Sequence, residues 1–206
     1  YIPPLIASFQ DKIKLSCGVT NVKKVGDTWQ VTDTSGAQAI FDHVIFACHS
    51  DQALAMLDTP TDAQQAVLGA IGFAENDVLM HKDTNQLPKR KLAWASWNYR
   101  LKDDADEEER PASVTYDMNI LQRLDAANTY CVTLNNTDEI DTSAVLGSYQ
   151  YAHPQFSEVM VNAQQRRSQI CGVDNLHFCG AYWYNGFHED GVHSALDVCE
   201  RFGVNL

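Results

Sequence analysis

Asp42-His43-Val44-Ile45-Phe46-Ala47-Cys48-His49 is the stretch that decides the fold class. Its centre, Val44 to Ala47, is continuously apolar between polar flanks. A half-buried strand alternates apolar and polar side chains, whereas an unbroken apolar run suits a strand covered on both faces, as in a parallel sheet. The residues upstream have a different period. Ile13-Lys14-Leu15-Ser16-Cys17, Val19-Thr20-Asn21-Val22 and Thr28-Trp29-Gln30-Val31-Thr32 alternate, and Gln38 to Phe41 follows the Ser35-Gly36 turn. These read as β-strands joined by short turns, behind a short helix that Pro4 opens and that ends near Lys12.

Downstream, the pattern turns helical from Asp51. Thr61 is an N-cap candidate for a helix with Ala63, Val67, Ala70 and Ile71 on one face. Short, aromatic-rich segments then return as Asp77 to His81, Leu92 to Tyr99, Ser113 to Met118, Tyr130 to Leu134 and Gly147 to Ala152. They predict a mostly antiparallel sheet in the middle of the chain. Val159 to Ile170 reads as an amphipathic helix closed by Gly172, Leu176 to Cys179 as a strand, Gly180 to Gly186 as a loop, and about Gly191 to Phe202 as the last helix. The fold class expected is mixed α+β, with helices flanking a mostly antiparallel sheet. Residues 51–171 would form an inserted domain, and 1–50 with 172–206 a discontinuous one beneath it.

With 206 residues, 45% of them hydrophobic, the chain can bury a core, roughly 70% of its unfolded area. Disordered, collagen-like and coiled-coil classes fail on this composition. The net charge of −12 gives a field that repels nucleic acid and anionic membrane surfaces. Much of that charge sits in Lys102-Asp103-Asp104-Ala105-Asp106-Glu107-Glu108-Glu109-Arg110, read as a solvated loop. No apolar run reaches the ~20 residues of a membrane helix. The six cysteines stand singly without a CxxC pair, so they are expected as buried thiols in a reducing cytoplasm. The start, Tyr1-Ile2-Pro3-Pro4, has no Met, basic n-region or cleavage site, and reads as a chain cut from a longer one.

Three constellations are candidates for chemistry. His188 and His193 are five apart and diverge by about 140° on a helix, unlike the four-apart histidines of a zinc helix, so no metal site is expected. Cys48 and His49 are adjacent on a strand and point to opposite faces, which argues against a nucleophile and its base. Aromatic residues are dense: Trp94, Trp97, Tyr99, Tyr116, Tyr149 and Tyr151 lie along the strands, and Tyr182-Trp183-Tyr184 crowd one loop beside glycines. Singly each is ordinary sheet packing, but three in one loop must rest on something, and a flavin or a ligand would serve.

Three stretches together carry a resemblance: Asp42 to His49, Trp94-Ala95-Ser96-Trp97-Asn98-Tyr99, and Phe178-Cys179-Gly180-Ala181-Tyr182-Trp183-Tyr184-Asn185-Gly186-Phe187-His188-Glu189-Asp190-Gly191. The chain resembles the carboxyl-terminal half of bacterial FAD-dependent amine-oxidase-like proteins, the superfamily of monoamine oxidase, protoporphyrinogen oxidase and phytoene desaturase. The likeness is closest at Ala152-His153-Pro154 and at Gly186 to Gly191. It implies that the flanks are the incomplete second half of a Rossmann-like FAD-binding domain and that the middle is the substrate-binding domain. It places Val19, after the Ile13–Cys17 strand, against the adenine, and Gly180 with Ala181 by the pyrophosphate and ribitol. Gly186, Phe187 and His188 fall at the flavin ring, where the start of the last helix would add positive dipole. Phe187, Trp183, Tyr184 and His153 would line the substrate pocket.

The departures define the remaining expectations. No glycines fall at the GxGxxG spacing, so the principal FAD anchor is outside this sequence. The lysine that some amine oxidases hold near the flavin has no match, Asn76 falling near that point, and no cysteine takes a covalent-flavin position. The resemblance therefore implies part of a flavin oxidoreductase that oxidises a C–H bond by hydride transfer to FAD. Its substrate would be small, apolar or an amine; its partner would be a missing amino-terminal half; alone it would be inactive and would not retain FAD. No residue is assigned a catalytic role. The alternative is a non-catalytic module that binds an apolar ligand.

Overall fold

The computed structural model describes residues 1–100 and 113–204, so the acidic run Lys102–Arg110 lies outside the described residues. The chain forms two compact units, one of residues 1–72 with 154–206 and one of residues 73–153.

The first unit is built around the stretch quoted above. Val44–Phe46 (β4) pairs in parallel with Leu176–Phe178 (β10), which is buried throughout. Phe46 stacks on Phe178 across the pair at 5.2 Å and 6°. Beside them is an antiparallel sheet of Val19–Val25 (β1), Thr28–Asp33 (β2) and Gln38–Phe41 (β3), in that order. Gly26, at φ +61°, opens the two-residue turn between β1 and β2. The Asp33 carboxylate closes the next turn by accepting from the Ser35 amide (2.8 Å), the Ser35 hydroxyl (2.6 Å) and the Ala37 amide (3.1 Å). Trp29 of β2 is buried and donates its indole N–H to the Asp174 carbonyl at 2.7 Å.

Helices cover this unit. Asp62–Leu68 (α3) begins at the expected Thr61, whose hydroxyl accepts from the Gln64 amide while the Gln64 side chain bonds back to the Thr61 amide. Ile2–Ile6 (α1), Ser50–Met56 (α2), Glu158–Gln164 (α5) and His188–Glu200 (α6) complete it.

The second unit is a five-stranded sheet in the order β6-β7-β8-β5-β9: Trp97–Arg100 (β6), Ser113–Asp117 (β7), Cys131–Leu134 (β8), Phe73–His81 (β5) and Val145–Pro154 (β9). A short helix, Met118–Gln122 (α4), follows β7, with the Asp117 carboxylate accepting from the Ile120 amide. Antiparallel register puts Trp97, Tyr116, Val132 and Met80 in one row and Tyr99, Val114, Leu134 and Val78 in another, both on one face. The opposite face carries Asn98, Thr115 and Thr133, then Asp117, Cys131 and His81.

Burial departs from the usual assignment of these faces. The polar face is buried along β7, along β8 and at His81, with Thr133 and His81 at 0% exposure, and it is exposed at Asp77; on the apolar face Val78 is buried at 5%, whereas Trp97 and Tyr99 of β6 are 54% and 62% exposed. The polar side chains satisfy one another. The Gln86 amide bonds the Glu139 carbonyl and accepts from Asn136 (both 2.8 Å), and Asn98 bonds both backbone groups of Ala95.

Several expectations need correction. Ile13–Cys17 is not a strand but an irregular segment after a 3-10 turn at Gln10–Lys12, so β1 starts the sheet at Val19 itself. Alternation marks a strand only where one face is buried, and Ile13 and Leu15 are both exposed. Leu92–Tyr99 is a 3-10 turn at Lys91–Ala93 followed by β6 from Trp97. The last helix begins at His188 rather than near Gly191. The unit boundaries at 72/73 and 153/154 lie inside the expected 51–171 and assign α2, α3 and α5 to the first unit.

Candidate functional site

Two surfaces attract the predicted residues, one in each unit. In the first unit, β10 leads through Cys179 and Gly180 into a 3-10 turn, Ala181–Trp183, and then into α6. Tyr182 and Trp183 are buried in protein, Trp183 lying under the Arg167 guanidinium at 5.2 Å. The loop aromatics rest on the chain itself. A Cβ on Gly180 would collide with the Tyr182 ring, so its glycine is already explained by packing. Gly186 has φ +88°, which glycine alone adopts without strain, and a Cβ there would also press on Phe156.

Residues that the sequence did not single out hold this loop. The Gln164 amide of α5 donates to the carbonyls of Tyr182 (2.8 Å) and Tyr184 (2.7 Å). Arg167 donates to Asp197 (2.5 Å) and to the carbonyls of Ser194 (2.8 Å) and Phe178 (3.0 Å). The Tyr184 hydroxyl donates to Asp197 at 2.6 Å, and its ring stacks on His193 at 4.5 Å. Burial pushes the Asp197 carboxyl up, but the bonds from Tyr184 and Arg167 outweigh it and hold the group below its ordinary value. Asp197 four residues after His193 was the only sequence sign of this cluster.

Gly186, Phe187 and His188 remain on the surface at the start of α6. The first turn there carries Glu189 and Asp190, and Asp190 accepts from the Phe187 amide at 2.9 Å. These carboxylates oppose the positive end of the helix dipole. Val19 lines a cleft of about 320 Å³ with Val22, Val31, Met56 and Val44 to Cys48. Burial raises the Cys48 thiol, leaving it a weak nucleophile. Among the described residues no group of three or more His, Cys, Asp or Glu could hold a metal. The cleft lining suits the apolar parts of a dinucleotide, and none of the described residues that line it is a cation or a glycine.

The second surface is the apolar face of the five-stranded sheet. Gln150 bonds Asp77 at 3.2 Å, which puts Gln150 on the polar face and Tyr149, Tyr151 and His153 on the apolar one. Tyr149 and Tyr151 stack at 5.7 Å and 6° and are about half exposed. Trp97 meets Tyr116 edge to face at 5.8 Å. The predicted pocket residue His153 lies on this face, its Nδ1 3.1 Å from the Asn76 amide, and Asn135 donates to the Asn76 oxygen at 2.8 Å. Phe187, Trp183 and Tyr184 belong to the other unit.

On the reverse, a chain of hydrogen bonds runs across the strands. His81 Nδ1 accepts the Asp83 amide at 3.2 Å, so its proton is on Nε2 and is donated to Thr133 Oγ1 at 2.8 Å; the Thr133 and Thr115 hydroxyls bond each other at 2.8 Å. Burial pushes the His81 pKa down, against a smaller pull upward from Asp83. Burial, with Asp117 and Asp83 adding to it, pushes the Cys131 thiol up to about 12.

No family model and no curated protein matches the sequence. Solved structures do match its fold. A CLA-producing fatty acid isomerase from P. acnes is similar with a TM-score of 0.66 at 12% identity, over 97% of this chain and 50% of its own. A reduced UDP-galactopyranose mutase gives 0.64 at 11%, over 98% and 50%. A protein described as a protoporphyrinogen oxidase from Exiguobacterium sp. 255-15 gives 0.60 at 9%, over 92% and 47%. The chain spans about half the length of these structures. Its fold is mixed α+β and is shared with these three structures.

Proposed function

We propose that the chain is the substrate-binding part of a flavin-dependent, amine-oxidase-like oxidoreductase, and that the apolar face of the five-stranded sheet receives an apolar or amine substrate. The supporting observation is the sheet's burial: Trp97, Tyr99, Tyr149 and Tyr151 stand about half exposed or more while Thr115, Thr133 and His81 on the other face are buried and mutually bonded. An exposed aromatic patch of this kind marks a binding surface. The fatty acid isomerase among the fold neighbours acts on a long apolar molecule by its name, which fits such a face.

Within this reading Tyr149, Tyr151, Trp97 and Tyr116 bind and orient the substrate by ring contact and exclude water. His153, held by Asn76, accepts or donates one hydrogen bond at the rim. FAD, when bound, supplies the hydride acceptor. Val19, Gly180, Ala181, Gly186, Phe187 and His188 are its proposed contacts here, Trp183 and Tyr184 hold the loop that presents them, and the pyrophosphate anchor comes from a separate half of the fold. The chain alone is then inactive. Among the described residues no helix is long and apolar enough to cross a membrane; the proposed location is the cytoplasm.

The test is to mix the chain with FAD, remove free flavin by gel filtration, and record the visible spectrum. The chain alone is expected to emerge colourless, and to become yellow when the complementary half is supplied. A colourless complex would remove the flavin chemistry and leave the second reading, a non-catalytic apolar-ligand module, which the acidic start of α6 favours.

A further inference from the structure

On the apolar face of the five-stranded sheet, the imidazole at the end of β9 is tied to the backbone through two asparagines. The Asp77 amide donates to Asn135 Oδ1 at 3.3 Å, which turns Asn135 Nδ2 toward Asn76 Oδ1, its acceptor at 2.8 Å. Asn76 Nδ2 in turn donates to the Ala74 carbonyl at 2.8 Å and meets His153 Nδ1 at 3.1 Å, with the Tyr151 carbonyl at 3.4 Å beside it. A backbone N–H at one end and a backbone C=O at the other leave neither amide free to flip. Turned over, Asn135 would set its NH₂ against the Asp77 N–H, and Asn76 would set an oxygen against the Ala74 oxygen. Asn76 therefore donates to His153 Nδ1, and the neutral ring carries its proton on Nε2. No described residue bonds Nε2, and His153 is exposed.

The direction of these bonds decides what the face can offer a ligand. An Nε2–H pairs with a carbonyl or carboxylate oxygen and opposes the N–H groups of an ammonium, which needs an acceptor or a negative charge. By alternation Glu75, Asp77 and Asp117 stand on the other side of the sheet, so no carboxylate of the described strands serves an ammonium here. Arg100 lies with Asn98 on that other side too, and a desolvated carboxylate would be left without a cation. The Tyr149 and Tyr151 hydroxyls give or take a hydrogen bond equally and do not choose. An uncharged carbonyl on a hydrocarbon satisfies the donor and the rings together.

We propose that His153 is a specificity-determining residue that donates its Nε2–H to the carbonyl oxygen of an apolar ester or ketone, whose hydrocarbon part lies on Tyr149 and Tyr151. This role rests on the reading of the face as the substrate surface, and it narrows the ligand from apolar or amine to apolar with an uncharged acceptor end. Asn76 and Asn135 are positioning residues that hold the tautomer.

The test joins ¹⁵N NMR of the His153 ring, at about pH 8.5 where an imidazole is neutral, to titrations of the chain with decan-2-one, decanoate and decylamine followed by tyrosine and tryptophan fluorescence. The Nε2–H tautomer is expected. Decan-2-one is expected to bind about tenfold or more tighter than decylamine, although the net charge of −12 attracts the amine. His153→Phe keeps a ring and removes the donor; it is expected to weaken decan-2-one about fivefold and to leave decylamine unchanged. Asn76→Asp sets an acceptor against Nδ1, and is expected to move the proton to Nδ1 and to reduce the preference for the ketone to about threefold or less. An Nδ1–H tautomer in the unaltered chain, decylamine or decanoate binding as tightly as decan-2-one, or decan-2-one affinity unchanged in His153→Phe would each overturn the proposal and leave the face standing as a binding surface. Binding of none of the three would overturn both.

Discussion

Protonation of His81 is the change that the buried face of β5 tolerates least. Its Nδ1 has no room for a proton because the Asp83 amide already points at it. The folded state therefore titrates below the ordinary imidazole value, and burial is the main cause. The unfolded chain takes up its proton near ~6.5. In the window just below that value the unfolded state binds more protons, so the contribution of His81 is complete above ~6.5 and is lost as pH falls toward the folded pKa. His177, lowered by burial and then by His43 and Arg201, acts in the same direction. Urea midpoints are expected to drop between about pH 7.5 and about pH 5.5, and the drop is expected to shrink in His81→Gln. Asp33, held at about 2 by Ser35, Cys17 and Ala37, contributes in a separate and lower window. Thr133→Val tests the same chain of bonds at fixed pH. It strands the buried Nε2–H, and a loss of about 1–3 kcal/mol in urea unfolding is expected.

At the scale of elements, the turn from β10 into α6 is held by Gln164, Arg167 and the packing of Tyr182 on Gly180. Gly180→Ala is expected to cost about 1–3 kcal/mol through the Tyr182 ring, and Tyr182→Leu in the same chain to restore part of it. If Gly180 served only to admit a ligand, the melting temperature would not move. Breaking the Arg167–Asp197 pair with Asp197→Asn leaves Arg167 partly desolvated; faster amide exchange across 180–187 is the expected signature.

Much of this level was legible in sequence. The apolar run gave β4, Thr61 gave the start of α3, and alternation gave β2, β7 and β8 within a residue or two. What was not legible has physical reasons. The start of α6 has no Ser, Thr or Asn cap; Asp190, inside the first turn, accepts from the Phe187 amide instead, so the sequence pattern alone marks a start only near Gly191. Alternation in β6 to β8 reveals a two-faced sheet but not which face is inside. Assigning the apolar face to the core by default misses that Trp97 with Tyr116 near one edge of the sheet, and Tyr149, Tyr151 and His153 on the other edge strand, stand on that same face. The Arg167 cluster joins residues about thirty apart with no periodic sign, as expected for contacts set by tertiary packing.

At the scale of the molecule, the two units differ in the chemistry they present. The first has a parallel strand pair, an apolar cleft and an acidic helix start. The second buries Thr115, Thr133 and His81 beside Val78, Leu87 and Ile140, and leaves Trp97, Tyr99, Tyr149 and Tyr151 about half exposed or more. A sheet face that served only as scaffold would lose little when an exposed ring is removed, and this one should lose little stability too. Tyr151→Ala and Trp97→Ala are each expected to change unfolding free energy by no more than about 0.5 kcal/mol. Binding is where they should differ. The most direct measurement is a titration of the chain and of the Trp97→Ala/Tyr151→Ala double variant with 2-phenylethylamine and with oleate, followed by tryptophan and tyrosine fluorescence. Saturable binding of at least one ligand by the unaltered chain, weakened about tenfold or more in the variant at unchanged melting temperature, is the result predicted. Equal binding by both proteins, or none by either, would contradict the assignment of this face as the binding surface.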